Sequence, residues 1–173
     1  MEIVLGDICY PKSKALIIPA NTKGVMSKGV PSRVVKDSLS SISKEAKEVV
    51  ANETIEIGGC FTTGPGRLKR RGLERIYHAV IKRFQDDFSS IFVVNKTLDN
   101  VLQKVISDGY ESVAICGIGI DEGNLDAKTV ARITAEICNR YDSQIKITII
   151  DDNKEFIREI DNFVKELNNV STE

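Results

Sequence analysis

The segment whose residues could do chemistry most directly is a glycine-rich loop, CGIGIDEGNLD, which runs from Cys116 to Asp126. It follows an apolar run, and glycines in that position let backbone N–H groups approach an anion such as a phosphate group. Two acids, Asp121 and Glu122, stand inside this loop, although carboxylates repel phosphates. A second glycine-rich segment, NTKGVMSKGVP, follows the apolar run ALIIPA and contains no acid.

The elements that position these loops are predicted from hydrophobic patterning. EIVL, ALIIPA, TIEIGGCFTTG, LERIYHAVI, SVAICGI and QIKITII are predicted strands, and ALIIPA is expected to be central because it is apolar on both faces. Helices are predicted over 32–50, 98–109, 126–141 and 154–167. Strands that alternate with helices predict an α/β domain with a mainly parallel sheet covered on both faces. Antiparallel pairing is expected between the two strands that flank GPGRLKRRG.

Length and composition restrict the class of protein. The chain of 173 residues with a formal net charge of −1 fits one domain, predicted over 1–168 with a frayed tail over 169–173. No apolar run approaches the roughly 20 residues that span a bilayer, and the N-terminus has no signal-peptide pattern. Four cysteines without C-x-x-C spacing argue against zinc and for free thiols in the cytoplasm.

One interpretation of the late loop is a Rossmann dinucleotide site in an oxidoreductase. The order strand, glycine turn, helix, strand and terminal acid Asp151 fits that unit. The glycine spacing is G-x-G-x-x-x-G instead of G-x-G-x-x-G, and Asp151 lies farther along than the usual distance of about 20 residues. The unit also starts late, which leaves too little chain for a second nucleotide half.

Five motifs in register make the chain resemble the macrodomain family, the ADP-ribose-binding modules also known for Appr-1''-p processing. LGDI resembles the motif after the first strand of the family, and ALIIPAN resembles AIVNAAN. GVMSKGV is similar to the first glycine loop, and TTGPGRL with RIYHAV resembles ITGGYNL and YVIHTV. GIGIDEGNLD is similar to the second loop, STGIYGYPLE. The resemblance implies a three-layer α/β/α fold with a mixed, mainly parallel central sheet.

The resemblance implies an ADP-ribose cleft at the carboxyl ends of the strands. Asp7 would accept a hydrogen bond from the adenine amino group, as an acceptor-only carboxylate can. The first loop would surround the diphosphate and far ribose, and the second loop would offer backbone N–H groups to the phosphates. At the position where the family often stacks an aromatic residue on adenine, this chain has Asp151 or its neighbour. The implied ligand-binding residues are Asp7, Ile8, Asn21, Gly24, Lys28, Gly29, Val30, Gly117, Ile118, Gly119, Ile120, Asp121 and Asp151.

The resemblance leaves open whether the chain is an enzyme or a binding-only module. Pro31 stands where several macrodomain hydrolases have an aspartate, and Ile18 replaces the first asparagine of NAAN. A different branch of the family cleaves ADP-ribose from acidic side chains with a lysine and an aspartate, which correspond to Lys82 and Asp121. The lysine amine would attack the anomeric carbon of the opened ribose, and the carboxylate would shuttle protons.

Several other features receive a structural interpretation. His78, inside an apolar strand, is predicted to be a packed structural histidine, Asp126 a helix N-cap, and Glu122 a solvent-exposed acid. No metal and no cofactor besides ADP-ribose as a ligand are expected. The expected partners are ADP-ribose or an ADP-ribosylated macromolecule, without a membrane. The basic stretch 67–71 could contact nucleic acid, but the preferred interpretation is a solvated connector between two strands.

Overall fold

A computed structural model describes residues 1–38 and 41–170. A short 3-10 helix, Gly66–Arg71, joins the third strand to the fourth. The strands in chain order are β1 (Glu2–Leu5), β2 (Ala15–Asn21), β3 (Cys60–Thr63), β4 (Arg75–Lys82), β5 (Ser112–Ile115) and β6 (Lys146–Asp151). The helices are α1 (Gly29–Ser38), α2 (Ser41–Asn52), α3 (Ile91–Ser107), α4 (Ala127–Tyr141) and α5 (Lys154–Val170).

The described strands form one sheet in the order β1-β6-β5-β2-β4-β3. Strand β3 runs antiparallel to β4, and the other neighbouring strands are parallel. Every residue of β2 is buried, since helices cover both sides of this central strand. The predicted mixed, mainly parallel sheet with ALIIPA at its centre is therefore confirmed.

The helices form a layer on each side of the sheet. Helices α3, α4 and α5 pack side by side, whereas α1 and α2 pack on each other and on β2 and β3. Both faces of the sheet are covered, because side chains alternate between the two faces along a strand and every residue of the central strand β2 is buried. The three-layer α/β/α prediction is confirmed. In the part of the chain that is described, no helix is both long and apolar enough to cross a membrane.

The prediction of one continuous helix over 32–50 is wrong, because two helices occupy this part of the chain. Helix α1 begins earlier, at Gly29, and ends at Ser38, and α2 begins at Ser41. The 3-10 helix packs tightly here, because a Cβ on Gly66 would stand 3.1 Å from the Ser38 Cβ and 3.2 Å from the Ser41 Oγ. Leu39, predicted to lie on the buried helical face, falls outside the described residues.

Further predicted elements differ in extent. Helix α3 begins at Ile91 instead of at 98, because Ser90 caps it there by accepting the N–H of Val93 at 3.1 Å. The third strand is limited to Cys60–Thr63, because Gly58 adopts a φ of +92° in a turn before it. The segment expected to be an irregular connector folds as the 3-10 helix, anchored by the buried side chain of Leu68. Helix α5 continues to Val170, past the end predicted at Leu167, and the remaining tail, 171–173, is outside the described residues.

Candidate functional site

The sheet order brings the two glycine-rich loops together. Strands β6, β5 and β2 are parallel neighbours, so their carboxyl ends lie at one edge of the sheet. We call the segment 22–28, after β2, the first loop, and the segment 116–125, after β5, the second loop. In open α/β sheets this edge is where ligands bind. The space between the two loops is therefore the candidate site.

Asn21 organises the first loop from its start. Its Oδ1 accepts the N–H groups of Lys23 and Val25 at 3.1 and 3.3 Å, and its Nδ2 donates to the carbonyl of Val25 at 3.0 Å. Gly24 follows with a φ of +63°, and a Cβ there would stand 3.0 Å from the carbonyl oxygen of Ala46. The side chain of Asn21 thus holds the turn, and its predicted contact with a ligand sugar stays a prediction.

The first loop ends against the second loop at Gly29. This glycine has a φ of +55° and opens helix α1, whose N-terminus faces the site and favours an anion. A Cβ on Gly29 would stand 3.3 Å from the Cβ of Asp121 and 3.4 Å from Oε1 of Glu122. Val30, the next residue, is buried in the wall of the site, whereas Lys28 is exposed.

The second loop is folded around its own backbone. The carbonyl of Gly119 accepts the N–H of Leu125 at 3.0 Å, and the carbonyl of Gly123 accepts the N–H of Ser89 at 3.0 Å. Gly119 adopts a φ of +106°, and a Cβ there would stand 2.9 Å from Cγ2 of Val94. Ile118 is buried beneath the loop. Glycine is required at position 119 for both conformation and space.

Asp151 braces the second loop from the end of β6. Its Oδ2 accepts the N–H of Gly117 and its Oδ1 accepts the N–H of Asn153, both at 2.8 Å. The side chain is buried, and burial raises the pKa of this carboxyl, with nearby Asp152 adding to the rise. An N–H group expected to meet a phosphate is therefore already bonded to a carboxylate.

Asp7 lies beside this bracing contact. The N–H of Gly6 donates to the carbonyl of Asp151 at 2.9 Å, which puts the turn after β1 next to the end of β6. The exposed carboxylate of Asp7 accepts the N–H of Cys9 at 2.9 Å, as a turn aspartate does. Ile8 is 2% exposed. The role of Asp7 and Ile8 at an adenine ring stays a prediction.

Lys82 and Asp121 are not joined directly. The Nζ of Lys82 donates to the backbone carbonyl of Asp86 at 2.9 Å, and Asp121 is exposed. Among the ion pairs of the described residues, none links these two side chains. Their assignment as a catalytic pair stays a prediction.

Glu122 is the site residue that the sequence did not indicate. It was expected in solvent, but it is partly buried and lines the cleft beside Gly29. Burial raises the pKa of its carboxyl, Asp121 adds to the rise, and the positive charges of Lys82 and Lys28 oppose it. Glu122 is therefore the carboxylate that interacts electrostatically with both lysines. No local pattern signals this, because Gly29 is distant in sequence.

The cleft between the loops is small and acidic. Its volume is about 10 Å³, room for roughly one water molecule, whereas ligand pockets have roughly 300–1,000 Å³. Three carboxylates line it, from Asp121, Glu122 and Asp151. The complete lining consists of Pro19, Val30, Gly117, Ile120, Asp121, Glu122, Asp151 and Asn153.

His78 and Asp126 are structural residues, as predicted. His78 is fully buried, its Nε2 lies 2.9 Å from Oγ1 of Thr63, and its ring stacks on Phe61 with centroids 4.4 Å apart. Burial lowers the pKa of His78 to about 3, so the ring is neutral at physiological pH. Asp126 caps α4 by accepting the N–H of Thr129 at 2.9 Å. Within the described residues, no three His, Cys, Asp or Glu side chains form a group that could hold a metal ion.

The fold and the paired glycine loops match one family. Residues 17–134, more than half of the chain, match the Macro domain family. The chain belongs to this family, which confirms the resemblance seen in the five sequence motifs. The sheet order with its antiparallel edge strand and the family match together favour this assignment over a Rossmann oxidoreductase.

Individual relatives agree with this assignment. An uncharacterized protein of Aquifex aeolicus (strain VF5) is 25% identical over 159 residues, which cover 91% of this chain and 93% of that protein. A mutant macrodomain of Oceanobacillus iheyensis solved with ADPR superposes with a TM-score of 0.83 at 16% identity, covering 96% of this chain and 92% of that chain. The macrodomain of Mycobacterium tuberculosis DarG gives 0.73 at 19% identity, covering 86% and 95%. Thermosipho africanus DarTG in complex with ADP-ribose gives 0.70 at 19% identity, covering 92% and 47%.

We predict that Gly119→Ala destabilises the protein more than Gly72→Ala. Both glycines have positive φ values, +106° and +87°, so both alanines carry backbone strain of about 1–2 kcal/mol. A Cβ at position 119 also meets Val94 at 2.9 Å, whereas nothing lies within 4 Å at position 72. The clash adds about 1–3 kcal/mol, measured by urea unfolding. Equal free energies of unfolding for the two variants would show that the second loop is not packed as described.

Proposed function

We propose that the chain binds ADP-ribose or a related derivative in the cleft between the first and second loops. The observation that carries the proposal is the meeting of two glycine loops and the N-terminus of α1 at the carboxyl ends of β2, β5 and β6. Backbone N–H groups and a helix N-terminus together suit a diphosphate. The solved relatives, from Oceanobacillus iheyensis with ADPR and from Thermosipho africanus in complex with ADP-ribose, support the same ligand.

Each part of ADP-ribose is assigned to a different region of the cleft. Asp7 and the backbone of Ile8 meet the adenine, because they border the β6 end of the site. The diphosphate lies between the N-terminus of α1 and the N–H groups of 118–120. The far ribose lies toward Lys82 and Glu122, beyond the first loop. In an ADP-ribosylated macromolecule, the macromolecule would extend out of the cleft at that far end.

Binding in this cleft requires a rearrangement of the second loop. The two loops touch at Gly29, and the N–H of Gly117 is bonded to Asp151. A diphosphate needs room between Gly29 and Asp121, and it meets a negative field from three carboxylates. We therefore expect modest affinity at neutral pH, rising as the carboxyl groups of Glu122 and Asp151, whose pKa values are raised, become protonated.

Calorimetric titration with ADP-ribose, AMP and NAD tests the proposal. ADP-ribose is expected to bind in the micromolar range, and AMP more weakly because it lacks the second phosphate and the far ribose. NAD should bind more weakly than ADP-ribose, since its nicotinamide extends past the far ribose toward Lys82. Absence of ADP-ribose binding at millimolar concentration would contradict the proposal.

The pH dependence of this titration tests the acidic cleft. The pKa of Glu122 is raised, so its carboxylate gains a proton as the pH falls toward that pKa, while the diphosphate keeps its charge. Affinity for ADP-ribose should therefore rise from pH 7 to pH 5, by about fivefold for one charge near the phosphates. Glu122→Gln should bind more tightly at pH 7 and vary less with pH. Glu136→Gln, at an exposed position on α4, serves as the control and should behave like the unchanged protein.

We propose the cytoplasm as the cellular compartment of this protein. Cys9, Cys116 and Cys138 are buried free thiols, and burial raises the pKa of each. Unpaired thiols of this kind suit the reducing cytoplasm. The single-domain extent over 1–168, the absence of a metal and the absence of a cofactor other than the ligand stand as expectations of the same proposal.

A second candidate is hydrolysis of an ADP-ribosyl or O-acetyl-ADP-ribose bond at the same cleft. The observation that favours it is the electrostatic grouping of Lys82, Asp121 and Glu122 at the far end of the site. The amine of Lys82 bonds to the anomeric carbon of the far ribose as the bond from that carbon to the modified carboxyl group breaks, and a neighbouring carboxylate takes the proton of the amine. Water then hydrolyses the adduct and releases ADP-ribose and the free lysine. For this chemistry the Nζ of Lys82 must leave the carbonyl of Asp86 when ligand enters.

We predict that Lys82→Ala and Asp121→Ala each lower the release of ADP-ribose by at least about a hundredfold, as loss of a nucleophile or proton shuttle does. The assay measures release from modified protein, modified DNA and O-acetyl-ADP-ribose. Lys154→Ala, an exposed lysine on α5, is the control. Unchanged turnover in both variants would remove this pair and leave a binding-only module.

A further inference from the structure

The 3-10 helix Gly66–Arg71 presents positive charge away from the cleft. It connects the end of β3 to the start of β4, and Arg75, the first residue of β4, pairs with Ala15, the first residue of β2. The helix therefore lies at the edge where the parallel strands begin, opposite the edge of the glycine loops. None of its residues lines the cleft.

The backbone of the helix is anchored by a buried side chain and by the turn that ends it. Leu68 is 1% exposed and anchors the helix in the core, while Arg67, Lys69 and Arg70 are exposed. Gly72 ends the helix in a left-handed conformation, with its N–H bonded to the carbonyl of Lys69 at 3.0 Å.

A groove runs beside these cations. It has a volume of about 630 Å³ and is lined by Ser38, Ser41, Gly66, Arg67, Lys69 and Arg70. Three cations and two hydroxyl groups face it, and no acid is among the lining residues. Within residues 1–38 and 41–170, no carboxylate forms an ion pair with any of the three cations. Their charges are therefore available to an anionic partner.

A second basic hollow and an exposed aromatic ring adjoin the groove. The hollow has a volume of about 220 Å³ and includes Lys12 and Arg71 in its lining. The guanidinium of Arg71 lies 3.7 Å from the ring centroid of Tyr10, which is 53% exposed. Asp37 neutralises Arg71 at 2.9 Å and fixes it under the ring. A ring supported on one side by a fixed cation offers an open face for stacking.

We infer that this surface, formed by Tyr10, Lys12, Arg67, Lys69, Arg70 and Arg71 and here called the basal surface, binds single-stranded nucleic acid. Unpaired cations in a groove track a phosphodiester backbone, and an exposed aromatic ring beside them stacks a base. The formal net charge of the whole chain is −1, so attraction comes from the local patch and not from the overall field. The inference does not depend on the proposed ADP-ribose site.

Fluorescence anisotropy with a labelled oligothymidylate measures this interaction. A Kd of about 1–100 µM is expected at moderate salt, as for binding without sequence preference. Lys12 forms no ion pair among the described residues, as is the case for Arg67, Lys69 and Arg70. These four cations predict a slope of log K against log salt of about −3, since each phosphate contact on a single strand contributes about −0.7. Raising the salt from about 50 to 200 mM should therefore weaken binding by about 50-fold.

The triple variant Arg67→Ala, Lys69→Ala, Arg70→Ala should abolish most of this salt dependence and bind at least about tenfold more weakly. The matched control is Lys128→Ala, Arg132→Ala, Lys154→Ala, which removes the same charge from exposed positions on α4 and α5. Circular dichroism and thermal melting check that both variants fold. No binding by the unchanged protein, or equal weakening by the two triple variants, would overturn the inference.

Substitutions of Tyr10 distinguish the binding of nucleic acid from the binding of a polyanion that has no bases. Tyr10→Ala should weaken oligonucleotide binding by about tenfold with little change in the salt slope, and Tyr10→Phe should bind normally because it keeps the ring. Polyglutamate should compete poorly for the labelled strand. Competition by polyglutamate equal to that by unlabelled oligonucleotide, or full affinity in Tyr10→Ala, would contradict the nucleic-acid assignment.

Discussion

The hydrogen bond from the N–H of Gly117 to the buried carboxylate of Asp151 stabilises the edge of the sheet at which this macrodomain has its candidate site. It joins the second loop to the end of β6, and the neighbouring carbonyl of Asp151 holds the turn after β1. A bond from a backbone N–H to a carboxylate is stronger than a neutral one, and its burial excludes competing water. Without it, Gly117 would have a free donor and the second loop would lose its support.

The same bond occupies an N–H group at the proposed phosphate site. A carboxylate takes one of the N–H groups that a phosphate would use, and Glu122 closes the space beside Gly29. A ligand anion must then replace protein anions and not only water. Asp151, which lies on β6, supports the second loop through Gly117. Asp121 and Glu122, which lie within the loop, add negative charge that opposes phosphate binding at neutral pH.

Charge is divided between the two edges of the sheet. Asp121, Glu122 and Asp151 surround the cleft at the carboxyl ends of the strands, whereas Arg67, Lys69 and Arg70 lie at the opposite edge. A chain with a formal net charge of −1 therefore contains two local fields of opposite sign. Composition alone hides this division, since it depends on how the strands are ordered.

Local patterns predicted the features that depend on local chemistry. Apolar residues on both faces of ALIIPA indicated the central strand β2, and Asp126 before an amphipathic run indicated the cap of α4. Features made by contacts between distant segments could not be predicted in the same way. The burial of Glu122 depends on Gly29, and the exposed stacking surface of Tyr10 depends on Arg71. Such pairs become visible only when the topology brings them together.

The most direct test of the central claim, an ADP-ribose site between the two glycine loops, is an amide NMR titration with ADP-ribose. The account predicts the largest shift changes at Gly117 and Gly119 in the second loop and at Gly29, because the ligand replaces the bond to Asp151 and separates the loops. The amides of the 3-10 helix at the opposite edge should stay unchanged. Shift changes confined to that helix, or no changes at saturating ADP-ribose, would contradict the account.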